Sequence, residues 1–177
     1  EFYAAYRDYL WAMDFVEDLL VTLAPERFKK PFRRVTYAEI MADTGSLEDA
    51  VFKEKVRHTL IEPVFVTDYP KDMFPLTKLK LGTTDTVETW QFYAGGIELA
   101  KAFTELNDPI DQIERFKAQE KLRAKGDEEA QQMDEDFVEA LEYGMPPAAG
   151  VGIGLDRLVA FLTGSHSVRE VILFPLM

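Results

Sequence analysis

The sequence has no cysteine and only two histidines, His58 and His166. Disulfides and thiolate metal sites are thereby excluded, and the histidines stand too far apart for zinc-ligand spacing, so any metal here would be held by carboxylates. No apolar run approaches the ~20 residues of a membrane span and no signal peptide opens the chain, so no membrane association is expected and the expected location is cytoplasmic. Positive charge is also scarce. Lys+Arg number 20 against 32 Asp+Glu, a net charge of -12, which argues against a chain whose main task is to coat nucleic acid by neutralising phosphates. What is present suits one globular domain with a real core: 177 residues, 47% hydrophobic and 12% aromatic. The first residue is Glu1 rather than Met, which leads us to expect a piece of a longer protein.

Local patterns predict helices mixed with antiparallel hairpins. Glu1 to Arg7 reads as the end of a strand, and Asp8 can cap a helix carrying Leu10, Met13, Val16, Leu20 and Leu23 inward until Pro25 stops it. "FRRVT" is a short strand, Thr36 and Glu39 make a capping box, and Ser46 is placed to start a helix through "LEDAVFKEKVRHTL". "PVFVTDYP" reads as a buried strand, and "KDMFPLTKLKLGTTD" as a loop and the best candidate for mobility. Gly95-Gly96 lies between two strands as a hairpin turn. Asp108 and Pro109 open a helix with Ile110, Ile113 and Phe116 inward, and a second helix runs from about Asp134 to Gly144. A strand "VILF" closes the chain. Without a βαβ rhythm, the expected class is α+β, with helices against an antiparallel sheet.

The stretch Gly150-Val-Gly-Ile-Gly-Leu-Asp-Arg157 has a glycine at every second position. Alternate glycines in a strand leave one face without side chains, open to the close approach of a flat ligand, and an arginine at the following corner can stack on a ring or fork onto a phosphate. The same pattern would serve a corner whose glycines only permit tight packing.

Three stretches, "GIELAKAFTELNDPIDQIERF", "DEDFVEALEYGMPPAAGVGIGLDRLVAFLTGS" and "REVILFPLM", together resemble the C-terminal part of a class II lysyl-tRNA synthetase catalytic domain. "EFYAAYRDY" is similar to the end of that family's motif 2 and "GIGLDRL" to its motif 3. The likeness extends over residues 1–177 and is weakest from Met41 to Leu60. It implies that the anticodon-binding OB-fold, motif 1 and the α-phosphate arginine of motif 2 would precede Glu1, and that the chain alone would be inactive. It also implies lysine, ATP, Mg²⁺ and tRNA(Lys) as ligands and a homodimer for the full-length enzyme.

By resemblance, Arg157 stacks on adenine and reaches the γ-phosphate, with Gly152 and Gly154 lining the nucleotide. Glu98 would hold Mg²⁺, and Glu105 would pair with the ammonium of lysine, with Tyr3 and Glu1 nearby and Gly150 as the open floor. A regular strand would put Glu98 and Glu105 on opposite faces, so the resemblance requires a bend or bulge between them. Two positions depart from the family pattern: Gln91 replaces a second metal-binding glutamate, and Lys101 replaces an asparagine beside the substrate. A Lys101 ammonium aimed at the substrate's own would repel it, so either Lys101 turns away or specificity has moved. Two other functions fit the same residues: a truncated paralogue that lysylates an elongation factor, and a non-catalytic synthetase-like binding module.

Overall fold

The structure is a computed structural model and describes residues 1–127 and 130–175. The last two residues of the "REVILFPLM" stretch lie outside the described residues.

Six strands form one sheet in the order β1-β6-β5-β4-β3-β2. These are β1 (Phe2–Ala5), β2 (Arg33–Thr36), β3 (Val64–Thr67), β4 (Thr89–Ala94), β5 (Ile97–Thr104) and β6 (Ala148–Ile153). The four pairs from β1 to β3 are antiparallel, and β2 lies parallel to β3. The expected antiparallel sheet therefore gains one parallel edge, because the chain from β2 to β3 crosses over through the short helices of residues 37–59 instead of turning back directly.

One face of the sheet is closed by α1 (Tyr9–Leu23), whose cap is Asp8 accepting from the Trp11 N–H. Met13, Val16 and Leu20 pack with Phe65, Trp90, Phe92, Leu99 and Ala149 into the main core. Leu10 and Leu23, expected inside, are exposed, while Tyr9, Ala12 and Glu17 are buried. Glu17 earns its place by accepting from the Phe32 N–H at 2.6 Å, since a buried carboxylate needs such a donor.

Among the described residues, the opposite face is covered by packed side chains only over β2, β3 and part of β4. There Tyr37, Met41, Phe52, Val56, Val64, Val66, Tyr69 and Tyr93 make a second cluster. The capping box of α2 (Tyr37–Met41) has both of its arms. The helix expected from Ser46 is instead a three-residue turn, α3 (Asp49–Val51), that runs into a π-helical turn (Phe52–Val56) and a 3-10 turn (Arg57–Thr59). Glu48 occupies its N-cap, and Ser46 Oγ accepts from the Glu48 N–H two residues too early to cap it.

The expected loop at residues 71–85 is pinned. Isolated bridges join Pro70 to Thr86, Thr77 to Glu105 and Leu79 to Val87. Helix α4 (Pro109–Arg123) holds the loop too: Arg115 donates to the carbonyls of Thr77 (2.6 Å) and Phe74 (3.5 Å), and Gln112 donates to that of Pro75. For the same reason α4 buries Gln112 and Arg115 beside Phe116, Gln119 is buried while accepting from the Gln131 N–H, and Ile110, expected inward, is exposed. Helix α5 (Glu135–Glu142) is capped by Asp134.

Helix α6 (Leu155–Thr163) starts directly after β6. The "VILF" run that follows forms no strand. Among the described residues it pairs with neither sheet edge, and Leu173 and Phe174 are exposed.

Candidate functional site

The uncovered part of the sheet, over β4, β5, β6 and β1, brings the predicted residues onto one face. Register decides this. Gln91 on β4 stands opposite Lys101 on β5, Lys101 opposite Gly152 on β6, Phe103 opposite Gly150, and Gly150 opposite Tyr3 on β1. Lys101 and Phe103 therefore share this face with Glu105 by simple alternation. Glu98 joins them through a bulge: Phe92 pairs with Ala100 but Tyr93 with Glu98, leaving Leu99 unpaired, and Leu99 and Ala100 are both buried on the α1 side. The bulge that the resemblance requires between Glu98 and Glu105 is present.

At one end of this face Glu105, Gly150, Tyr3 and Glu1 come together. The Glu105 Oε1 atom is buried and has no hydrogen-bond partner. Burial, and then the charge of Glu1, push the Glu105 carboxyl up to about 7. Tyr3 donates to Glu1 Oε1 at 2.5 Å, and that bond is the main reason its phenol is pushed up to about 12. A methyl group at Gly150 would fall on Glu105 Oε1 and within 2.9 Å of Tyr3 Cε1. Gly150 is the floor that lets these two side chains converge. A buried carboxyl oxygen without a donor, beside a phenol and a second carboxylate, can on ionising receive a cation with several N–H donors.

At the other end lie Glu98, Arg157 and Gly154. Arg157 Nη1 donates to the Glu98 carbonyl at 3.3 Å and lies 3.8 Å from its Oε1. The Arg157 side chain is half-exposed, so its guanidinium plane is free to meet a ring. A Cβ at Gly154 would touch Arg157 Cδ at 3.4 Å, so this glycine leaves room for the arginine to lie across the strand end.

Between the two ends, Lys101 is exposed and forms no ion pair among the described residues. Gln91 Oε1 accepts from the Tyr93 hydroxyl at 2.7 Å. Gln91 and Glu98 also border a cavity of about 470 Å³ whose other walls include Asp49, Asp72 and Phe74. Sequence reasoning missed Asp49, Asp72 and Phe74, which reach the site from separate turns and carry no local signal. It also missed Phe103, which simple alternation between Lys101 and Glu105 could have found.

No group of three or more His, Cys, Asp or Glu is placed to hold a metal among the described residues. Glu98 and Gln91 do line the same cavity, and a carboxylate and an amide carbonyl are the kinds of oxygen donor that Mg²⁺ takes when phosphate oxygens and water complete its shell.

The family profile of class II tRNA synthetases (D, K and N) matches residues 1–177. A lysine–tRNA ligase of Porphyromonas gingivalis is 42% identical over 221 aligned positions, which take in 100% of this chain and 38% of the relative. Those of Azobacteroides pseudotrichonymphae and Christiangramia forsetii are each 38% identical, with 44% and 39% of their lengths covered. The chain thus spans less than half the length of these relatives, and 221 positions against 177 residues leave 44 positions of the alignment without a residue here. A family match over the whole chain, on a sheet whose bare glycine face gathers the expected residues, identifies the chain as a member of the class II aminoacyl-tRNA synthetases, in the group that joins aspartate, lysine and asparagine to tRNA.

Proposed function

We propose that the chain is the C-terminal part of the catalytic domain of a lysine–tRNA ligase. In that reading ATP and Mg²⁺ are used to turn lysine into lysyl-adenylate, and the lysyl group then passes to tRNA(Lys). The parent acts in the cytoplasm as a homodimer, with its OB-fold and motif 1 in the preceding part. The observation that carries this reading is the unpartnered Glu105 Oε1 beside Tyr3 and Gly150, an anionic end for an ammonium, on the same face as the Arg157–Glu98 pair. The aliphatic part of lysine would lie over Phe103 and its carboxylate would point toward Arg157, where the nucleotide stacks. Glu98 and Gln91 would hold Mg²⁺, which when bound neutralises phosphate charge. The chain's own residues then supply what phosphoryl-type chemistry mainly asks of a protein, positioning and fixed charge.

A non-catalytic binding module is a second reading, favoured by the capture of Gln91 Oε1 by Tyr93. Amino-acid-dependent ATP–pyrophosphate exchange by the full-length polypeptide separates the two. Exchange with lysine and not with aspartate or asparagine supports the ligase; no exchange with any of the three overturns it.

A further inference from the structure

Lys101 occupies a position that the proposed function leaves without a task. It stands on the open face directly across from Gln91 on one side and Gly152 on the other, exposed and without an ion-pair partner among the described residues. It also stands between the two ends of the site. Glu105 is four residues further along the strand, about 13 Å at ~3.3 Å per residue. On the other side, the bulge brings Glu98 and its Arg157 contact within three residues. Extended lysine measures roughly 7 Å from ammonium to carboxylate, across single bonds of about 1.5 Å. With its ammonium at Glu105 and its carboxylate toward Arg157, the substrate presents the carboxylate, not the ammonium, to Lys101.

The geometry points to Lys101 as a resident cation of the reaction centre, where it holds the substrate carboxylate against the α-phosphate and does with an ammonium what a second divalent cation would do. The inference rests on the lysine-activating reading above. In the step concerned, a carboxylate oxygen forms a bond to the α-phosphorus while the bond from that phosphorus to the bridging oxygen of pyrophosphate breaks. No proton moves, and the negative charge shifts to the leaving pyrophosphate. Both reacting groups are anions, so bringing them together needs positive charge between them. The donor set beside Lys101 supplies little purchase for a second metal: one carboxylate, Glu98, already beside Arg157, and one amide, Gln91, already accepting from Tyr93. An ammonium opposite that amide, above a glycine that leaves its path clear, meets the need. A Cβ at Gly152 would be 3.9 Å from Lys101 Cγ, with no nearer neighbour. The same geometry removes the conflict raised by the sequence, since Lys101 can face the site without opposing the substrate ammonium.

The test uses the full-length polypeptide and its Lys101→Met and Lys101→Arg variants. The first probe is a non-reactive mimic of lysyl-adenylate with a sulfamate in place of the phosphate, titrated calorimetrically in EDTA. The second is n-pentylamine, which keeps the side-chain ammonium and carbon chain of lysine without its carboxylate or α-ammonium. Lys101→Met should bind the mimic roughly ten- to a hundredfold more weakly, the worth of one charge-assisted hydrogen bond, while Lys101→Arg stays close to the parent. n-Pentylamine should bind all three equally, and pyrophosphate exchange by Lys101→Met should need more free Mg²⁺ than the parent does. Unchanged binding of the mimic by Lys101→Met would overturn the inference, as would tighter n-pentylamine binding by that variant, which would show Lys101 facing the ammonium end. Glu105→Gln serves as the control for the underlying reading. If it leaves n-pentylamine and the mimic bound as before, the lysine end itself is misplaced and the inference falls with it.

Discussion

Glu98 and Glu105 are seven residues apart on one extended segment and still face the same side of the sheet. The bulge at Leu99 does this, by turning two consecutive residues, Leu99 and Ala100, toward α1. Without it the carboxylate beside Arg157 would lie in the main core, and the two ends of the candidate site would be on opposite faces. A one-residue irregularity in β5 thus joins a nucleotide-sized end and an ammonium-sized end into one surface.

The Arg157–Glu98 contact belongs to that surface and adds little to the fold. Its two side chains are 53% and 28% exposed, and ion pairs of that kind contribute ~0–1 kcal/mol. Arg157→Ala in the full-length polypeptide should leave the melting temperature nearly unchanged while lowering lysine-dependent pyrophosphate exchange by about 10²–10³, the loss typical of one preorganised donor. Arg157→Lys should recover little, because an ammonium cannot stack as a planar guanidinium does. Near-parental exchange by Arg157→Lys would show that only the charge matters.

Glu105 sets a pH dependence whose sign can be worked out. In the ligand-free protein its carboxyl is pushed from 4.5 up to about 7, chiefly by burial. Below that value it carries a proton that must leave before an ammonium can bind, so lysine affinity should weaken by roughly tenfold per pH unit below about 7 and level off above it. Stability follows the opposite course. Between 4.5 and 7 the folded state holds a proton that the unfolded state has lost, so the ligand-free protein should lose stability as pH rises through that window. Glu105→Gln should flatten this slope and raise the melting temperature at pH 8. Lysine titrations at pH 6 and pH 8 giving the same affinity would refute the assignment.

Much of the fold was legible because short-range rules decided it. Asp8, Thr36 and Asp108 all cap the helices they were expected to cap, and the helix expected from about Asp134 starts there with Asp134 as its cap. Gly95 and Gly96 turn the β4–β5 hairpin with φ of 62° and 75°, as a tight hairpin requires. The misses have a common cause in tertiary partners that no local pattern names. Ile110 is apolar and exposed because α4 turns a polar stripe inward to clamp the Phe74–Thr77 backbone. "VILF" has strand composition, but a strand also needs a neighbour, and the described sheet offers it none. Of the candidate site, Glu98, Glu105, Gly150 and Arg157 were named through the resemblance, and the register brings them onto one face. The position of Lys101 between the two ends follows only from the register of three strands.

Glu17 provides a stability control far from the open face. It is 5% exposed on α1 and accepts from the Phe32 N–H at 2.6 Å. Glu17→Ala leaves that buried donor unpaired, at a cost of about 1–3 kcal/mol. Thermal unfolding should reveal the loss, and lysine and nucleotide affinities measured below the transition should not change. A specific loss of lysine affinity in this variant would mean that the α1 side of the sheet is coupled to the site.

The glycines of β6 separate two reasons for leaving a position bare. At Gly150 the added carbon meets the protein's own site: it would fall on Glu105 Oε1 and approach Tyr3 Cε1 to 2.9 Å. Gly150→Ala must therefore push the Glu105 carboxylate and the Tyr3 ring aside. Both are side chains near the open face and can move, so the fold should survive while lysine affinity drops by at least about tenfold, the worth of one charged hydrogen bond. At Gly152 the same carbon meets only Lys101 Cγ, at an ordinary 3.9 Å. Gly152→Ala costs the ligand-free fold nothing and should raise stability by ~0.4–1 kcal/mol, because alanine restricts the unfolded chain. If a substrate crosses the sheet between Glu105 and Arg157, that methyl lies beneath it, and binding of the adenylate mimic should weaken although the protein is more stable. The comparison needs melting curves, lysine titrations and mimic titrations for both variants of the full-length polypeptide. Gly152→Ala with parental affinity for the mimic would show that no ligand passes over the centre of this face, and the two ends would then have to be read as separate sites.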